Sequence, residues 1–597
     1  MLRKAKFLVV VSFVLLIPFN LLYAHETTSL KNSQQSYQIE EVIFRRIADT
    51  PVGTIDPASA RRPLSIEIVE NLFLGLTDID PITQRVVPEM AEDWSVSSDG
   101  LIWTFHLRDD VYWVHYDSTT ESVEKVRLVV AADFAYSIKR ACDPRSHNYL
   151  EQFLGKFIQG CDTVAQIPFQ SATNEMVFGD TIQVNAIDDT TLTIALHSPV
   201  AYFPAISSLS FLHAQPQDII EQYGTDWTQS STILTNGPYF LKEANNFYRN
   251  TYLPTDLLRG TGNIEIVRFA GFQNPAPDST LIFNNQLDMI SLTKGFIQNI
   301  PLTSGSEEIL QQIVSLRDPV IHYLAFNYNQ PPFDNVHVRR AFSSVIDRDL
   351  LVEQALGGLG IPIAGFDPTV TLETTGNGAH FDPDYARAEL AEAGYPNCSN
   401  FPPIIITTIE EDMALVDFWM ASAVDHLGCN ADLFKTQVYE RGYVPSRPYQ
   451  QPHVWVSWWQ ALYPDPNAFL NERFSCTTSG FGATERFDLS LTGLCRVDDE
   501  TCIQTRAIKR PCTEADSLLQ TASVENDPSI RRLLYDQAET LFWGNEGEYP
   551  AVPLFLHSRD AIIRPWVSGP FATDSIFGAM HWDSYSIDTT LKAASQP

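Results

Sequence analysis

Val454–Asn471 reads VWVSWWQALYPDPNAFLN. The apolar run Val454-Trp455-Val456 predicts a strand. The turn Tyr463-Pro464-Asp465-Pro466 stops it before a helix-like Asn467–Phe474. Trp458 and Trp459 are adjacent. Neighbouring side chains on a strand face opposite ways, so at most one of the pair points into the core beneath. Either both rings pack between elements, the ordinary fate of tryptophan, or one of them is a flat wall for a ligand.

Working outward, the 597-residue chain is long enough for two or three packed lobes. Its formal net charge of -33 argues against nucleic acid or anionic lipid as a partner and otherwise favours solubility. The chain opens on basic Met1-Leu2-Arg3-Lys4-Ala5-Lys6, an apolar run from Phe7 to about Ile17, and Pro18 to Ala24. This predicts a signal peptide over residues 1–24. No cysteine follows the apolar run as a lipid attachment point, so an exported, periplasmic, soluble protein is expected. Eight cysteines follow the leader: Cys142, Cys161, Cys398, Cys429, Cys476, Cys495, Cys502 and Cys512. An even count in an exported chain favours disulfides. The sequence leaves their pairing open, with Cys142–Cys161 and Cys398–Cys429 as the local choices. The last four crowd a Gly/Thr/Asp-rich stretch without the C-x-x-C pair or nearby histidine of a zinc site.

The periodicity predicts strands at Glu41–Ile47, Leu101–Leu107, His322–Tyr328 and Ala551–Phe555, and a hairpin over Ile182–Leu196. Helices are expected at Ile66–Leu74, Ala131–Cys142, Val336–Ile346 (capped by Asp334), Tyr385–Ala393 and from Asp527-Pro528 through Phe542. Asn236-Gly237-Pro238-Tyr239 reads as a turn into a strand.

Several short motifs then fall in a telling order. They are Asp56-Pro57, NLFLGL at 71–76, PEMAEDW at 88–94, DGLIWTFHLR at 99–108, Ala132-Asp133-Phe134, Trp227-Thr228-Gln229 and TNGPY at 235–239. The second half adds PFDNVHVRRA at 332–341, Ile346-Asp347-Arg348 and ARAELAEAGY at 386–395. Over nearly the whole chain this resembles the peptide/nickel/oligosaccharide class (family 5) of ABC importer solute-binding proteins, above all periplasmic oligopeptide-binding proteins. The resemblance implies an α/β, bilobal, class II periplasmic-binding-protein-like fold, with two hinged α/β lobes and an extra subdomain in lobe one. Lobe one would comprise residues 38–75, the extra subdomain 76–200, and a second part 201–321. Lobe two would span 322–556 with a Cys-rich insertion at 475–513, and 557–597 would return to lobe one. Ligand would lie between the lobes, as in the hinge closure that the periplasmic binding proteins exemplify.

The resemblance also implies site residues. Peptide binders carry a Trp-x-x-Asp-Tyr segment whose Asp meets the ligand's amino terminus, since a buried ammonium needs a carboxylate. Aligned on Trp459, the acidic position is Leu462, and Asp465 is the nearest substitute. The cleft-edge segment, which in peptide binders pairs with the ligand main chain, falls on Arg61-Arg62-Pro63. Pro63 has no N–H to donate, while the two guanidiniums suit anionic groups, unless they simply lie on an exposed loop. Tyr149 on the subdomain rim, Tyr239 and His557 near the crossovers, and Trp458 or Trp459 complete the candidate ligand contacts; ordinary packing is the alternative for each. The expected partners are an oligopeptide or peptide-like ligand and an ABC permease with its ATPase, met by a monomer. A blocked or anionic solute, an oligosaccharide stacked on a tryptophan, or a sensor without a transporter is the alternative. No Gly-x-Ser-x-Gly, His-Glu-x-x-His or Gly-rich phosphate loop supports an enzyme. No cofactor or metal is expected, because nickel or haem needs His, Arg or Met groupings that the sequence does not place in the cleft.

Overall fold

The computed structural model describes residues 41–47, 52–146, 150–165, 167, 181–270, 281–282, 284–292, 308, 311–327, 330–367, 380–439, 452–476, 512–574 and 579–595. The expected signal peptide, Tyr149 and most of the Cys-rich insertion lie outside these residues.

Two long antiparallel strands, Ile313–Phe326 and Ala551–Ile563, run through the middle of an eleven-stranded sheet and belong to both of its halves. On one side of them lie Met289–Ser291, Ile43–Ile47, Ile266–Ala270, Asn246–Arg249 and Tyr239–Glu243. On the other lie Val454–Gln460, Ile404–Ile409 and Phe434–Tyr439. The short Ile361–Pro362 pairs onto Ala551–Ile563. The crossover pair is interrupted: Arg317 stands opposite Ser558, and Ile321 opposite Leu556. Asp318, Pro319 and Val320 therefore face His557 alone, a bulge that places a proline where no ladder N–H is needed.

Both crossover strands exceed the expected His322–Tyr328 and Ala551–Phe555. The added segments, Ile313–Ile321 with Pro319 inside it and Leu556–Ile563, mix charged and apolar residues and lack the clean apolar run that marked the strand cores. The tryptophan strand pairs in unbroken register, from Val320 with Gln460 to Phe326 with Val454. It is covered on both faces, which explains its nearly continuous apolar run. Val454 and Val456 join a core with Leu324, Phe326, Phe342 and Trp419. Trp455 and Trp459 join the other core, with Tyr323, Phe366 and Trp543.

Four strands between the first helix and Ala195 form a separate sheet, in the order Ala91–Val96, Ile102–Leu107, Thr191–Ala195 and Val184–Asp188. The last two are the expected hairpin. Helix Ala131–Ala141 buries Phe134 and Ile138, and the disulfide Cys142–Cys161 follows it. Cys398–Cys429 also forms, and Cys476 pairs with Cys512.

Helix ends follow capping chemistry. Asn335, not the expected Asp334, caps Val336–Ser344 by accepting from His337 N. Asp382 and Asp527 cap Pro383–Glu392 and Pro528–Trp543, each with proline in the first turn. The first helix begins at Pro63, three residues before its expected start, and runs to Leu72. Its end is clamped by the Asn-Gly turn: Asn236 and Gly237 donate N–H to Leu72 O (3.1 and 2.9 Å), and Asn236 Oδ1 accepts from Leu74 N. A Cβ on Gly237 would lie 2.6 Å from the Leu72 carbonyl carbon, so this close approach requires glycine.

Candidate ligand-binding cleft

A cavity of about 260 Å³ opens where the crossover bulge, the first helix and the end of the tryptophan strand converge. The first half supplies Arg46, Arg61, Pro63, Glu67, Glu70, Asp78, Phe211 and Met289. The crossovers supply Leu316, Asp318 and Arg559, and the second half supplies Gln460, Ala461 and Leu462. Asp574, Met580, His581 and Tyr585 close the floor.

Three expected site residues meet here: Arg61, Pro63 and Leu462. Arg61 and Pro63 are exposed at the start of the first helix, where Pro63 fits a first turn whose N–H groups have no intrahelical partner. Pro63 opens the helix, while Arg61 and Arg62 precede it, with Arg62 in extended backbone. Arg62 is exposed as the helix cap and is not part of the cavity wall.

The remaining candidates lie off the cavity lining. Trp459 is 6 % exposed, and its Nε1 donates to Ala468 O at 2.7 Å. It is a packed ring behind the lip that Gln460–Leu462 form, not a ligand wall. Trp458 is half-buried opposite His322 and lies outside the cavity lining. Tyr239 is fully buried; its hydroxyl donates to Ile264 O at 2.9 Å and its ring meets Trp582 edge-on. Asp465 caps Pro466–Phe469 through Asn467 N (2.8 Å), and its carboxylate is paired with Arg531. It is committed to the fold and is not free for a ligand amine. His557 occupies the crossover bulge, with Nδ1 3.0 Å from Asp318 Oδ2, while Asp318 also pairs with Arg559. The wall of the cavity carries Asp318 and Arg559 rather than His557 itself.

Away from the cavity, the turn after the tryptophan strand reaches the first half directly. Tyr463 stacks on Tyr202 at 5.3 Å, and the Arg531 guanidinium lies over the Tyr202 ring.

The floor holds buried charge that the sequence reading did not single out. Arg46 pairs with Glu67, which also accepts from Trp582 Nε1 at 2.7 Å. Arg259 pairs with Asp78 and, at 2.7 Å, with Glu89. Burial opposes ionisation of Asp78, but Arg259 outweighs it and holds the carboxyl below its ordinary range. Glu70 is pushed up to about 7 by burial and by the neighbouring Asp78. His581 Nδ1 lies 2.7 Å from Asp574 Oδ1; burial works against its charged form, yet Asp574 prevails and the ring is held up to about 9. His213, wholly buried behind Glu70, is pushed down to about 4 by burial and by Arg259. Spacing could not reveal this cluster, because Glu70 and His581 lie at opposite ends of the chain.

Residues 85–481 match the family described as bacterial extracellular solute-binding proteins, family 5 Middle. The chain is 26% identical over 541 residues to the periplasmic murein peptide-binding protein MppA of Escherichia coli, covering 89% of this chain and 90% of that one. It is 25% identical to the periplasmic oligopeptide-binding protein OppA of the same organism, covering 88% and 89%. Its fold is similar to the unliganded open form of the MppA periplasmic murein tripeptide binding protein, with a TM-score of 0.72 at 24% identity over 92% of this chain and 98% of that one. The α/β architecture is that of the bilobal, class II binding proteins. The chain belongs to the bacterial extracellular solute-binding proteins of family 5.

Proposed function

We propose that this protein is the binding component of an ABC importer, which takes an oligopeptide or peptide-like ligand between its lobes and delivers it to a membrane permease and its ATPase. The observation that carries the reading is a cavity walled by both halves of a sheet whose halves share two crossover strands. At about 260 Å³ it sits near the low end of the ~300–1,000 Å³ common for ligand pockets. The bulge at Asp318–Val320 opposite His557 supports a hinge there, close to the lobe boundaries that the sequence suggests. Closure is then populated when ligand supplies contacts that the open state lacks.

The wall chemistry supports a particular ligand. Leu462 stands at the lip where peptide binders carry the amine-holding acid, and Asp465 is engaged by Arg531. Arg61 and Arg559 are cationic groups on the wall. A peptide-like ligand with a blocked or modified amine and an anionic group fits this set. The relatives named above are periplasmic proteins, and no helix among the described residues is long and apolar enough to cross a membrane. An exported monomer that captures its ligand without chemical change is consistent with both.

Native mass spectrometry of the exported protein, followed by denaturation, identifies what co-purifies. Calorimetry with free-amine and N-acetylated peptides of two to five residues then tests the ligand class. Preference for the blocked or anionic members is expected. Tight binding of free-amine peptides without that preference would overturn the blocked-amine reading, and catalytic turnover of a peptide would overturn the function.

A further inference from the structure

Three donor groups meet on the floor of the cavity from three separate segments: Glu70 on the first helix, Asp78 on the strand Thr77–Ile79, and His581 just before the turn Trp582–Ser584. Their ligand atoms all lie within 4.8 Å of one another. His581 Nε2 is 4.0 Å from Glu70 Oε1 and 3.8 Å from Asp78 Oδ1. We propose that Glu70, Asp78 and His581 form a binding site for a divalent transition-metal ion, Zn²⁺ or Mn²⁺, with its remaining coordination positions open to the cleft.

The histidine singles this cluster out among the acidic groups of a very acidic protein. His581 is 4 % exposed, and its Nε2, directed at the two carboxylates, has no hydrogen-bond partner among the described residues. A buried polar atom left in this state is costly, and a ligand that fills the gap relieves it. The other ring nitrogen is fixed by Asp574, which is itself held by the Tyr585 hydroxyl and the His581 N–H. Metal-bound histidines are oriented by this kind of carboxylate. No hydrogen bond among the described residues reaches the Glu70 carboxylate; the imidazole nitrogens nearest to it are His213 Nε2 at 3.8 Å and His581 Nε2 at 4.0 Å.

The local charge agrees. Glu70, Asp78, Glu89 and Asp583 surround the guanidinium of Arg259, and Asp574 lies beside His581. One imidazole and two carboxylates suit Zn²⁺ or Mn²⁺, whereas Ca²⁺ and Mg²⁺ prefer oxygen ligands throughout. The donor separations exceed the ~3.3 Å that ~2.0 Å bonds at tetrahedral angles demand, so binding draws the donors together by about half an ångström or more. This inference rests on the cavity floor and not on a peptide ligand.

The test titrates the chelator-treated full-length chain with zinc chloride and with manganese chloride, without peptide, by calorimetry and thermal melting. One ion per chain with a raised melting temperature is expected. Glu70→Gln and His581→Gln should each weaken binding roughly tenfold to a hundredfold. E70Q removes a carboxylate that makes no hydrogen bond among the described residues and leaves the His581–Asp574 pair intact, so it reports even where H581Q does not fold. Absence of a stoichiometric ion, or full affinity retained in E70Q, would overturn the site. Because no peptide is present, failure here leaves the peptide reading standing, and failure of peptide binding leaves the metal site standing.

Discussion

The Asp465 carboxylate is held by the Arg531 guanidinium, with Nη1 2.5 Å from Oδ2, and the pair is nearly removed from water. Breaking one side of such a pair strands the other charge. Asp465→Asn should therefore destabilise the fold by about 3–5 kcal/mol and leave ligand affinity in the folded fraction unchanged. Replacing both partners, D465N with R531M, should recover part of the loss. Denaturant unfolding with peptide calorimetry on the same samples measures both. A stable D465N protein that has lost binding would return Asp465 to the cleft.

Leu462 is half-buried on the cavity wall, and the sequence resemblance aligns it with an acid of peptide binders. Leu462→Asp should create an amine anchor. The gain is a charge-assisted hydrogen bond, ~1.5–3 kcal/mol or roughly a tenfold increase and upward in affinity. It should appear for free-amine peptides and be absent for their N-acetylated counterparts. Paired titrations of the two series against L462D and the parent protein give the comparison.

The frame of the protein was legible wherever a local signal existed. Capping aspartates and first-turn prolines announced helices Pro383–Glu392 and Pro528–Trp543, and the two locally spaced cysteine pairs do form. The crossover extents were not legible, because the sequence around Pro319 carries loop-like composition while its neighbours still pair. Asp465 stayed a candidate substitute acid because its partner, Arg531, lies 66 residues on and no periodicity links them. Packing and a ligand wall stayed open for Trp459 because strand alternation says which face a ring takes, but not whether that face is covered. The floor cluster was invisible for a stronger reason: Glu70, Asp78 and His581 become neighbours only when the chain end returns to the first helix.

Arg61 and Arg62 are adjacent and both exposed, yet only Arg61 is part of the cavity wall. Sequence alone gave them equal standing; geometry separates them. Arg61→Ala should weaken a ligand with a free carboxylate by roughly tenfold, the value of a charged hydrogen bond. Arg62→Ala should stay within about twofold, as exposed charges away from a site do. Affinities of both variants for a carboxylate ligand and its amide decide the matter, since equal losses would place the whole segment at the ligand.

Glu539 offers a pH test away from the cleft. Its Oε1 accepts from Phe366 N and Asp367 N at 2.7 and 3.2 Å. Burial, and then the Asp367 carboxylate, push it from its ordinary 4.5 up to about 8, with Arg532 opposing. Between those values the folded chain holds a proton that the unfolded chain has released. Stability from this group is therefore complete below about 4.5 and is lost as pH rises through about 8. The slope is at most about 1.4 kcal/mol per pH unit. Glu539→Gln keeps the acceptor for both N–H groups and stays neutral, so it should match the parent near pH 4.5 and become progressively more stable than it towards pH 8. Melting temperatures of both proteins across that range measure the difference; parallel curves would show that Glu539 does not hold its proton.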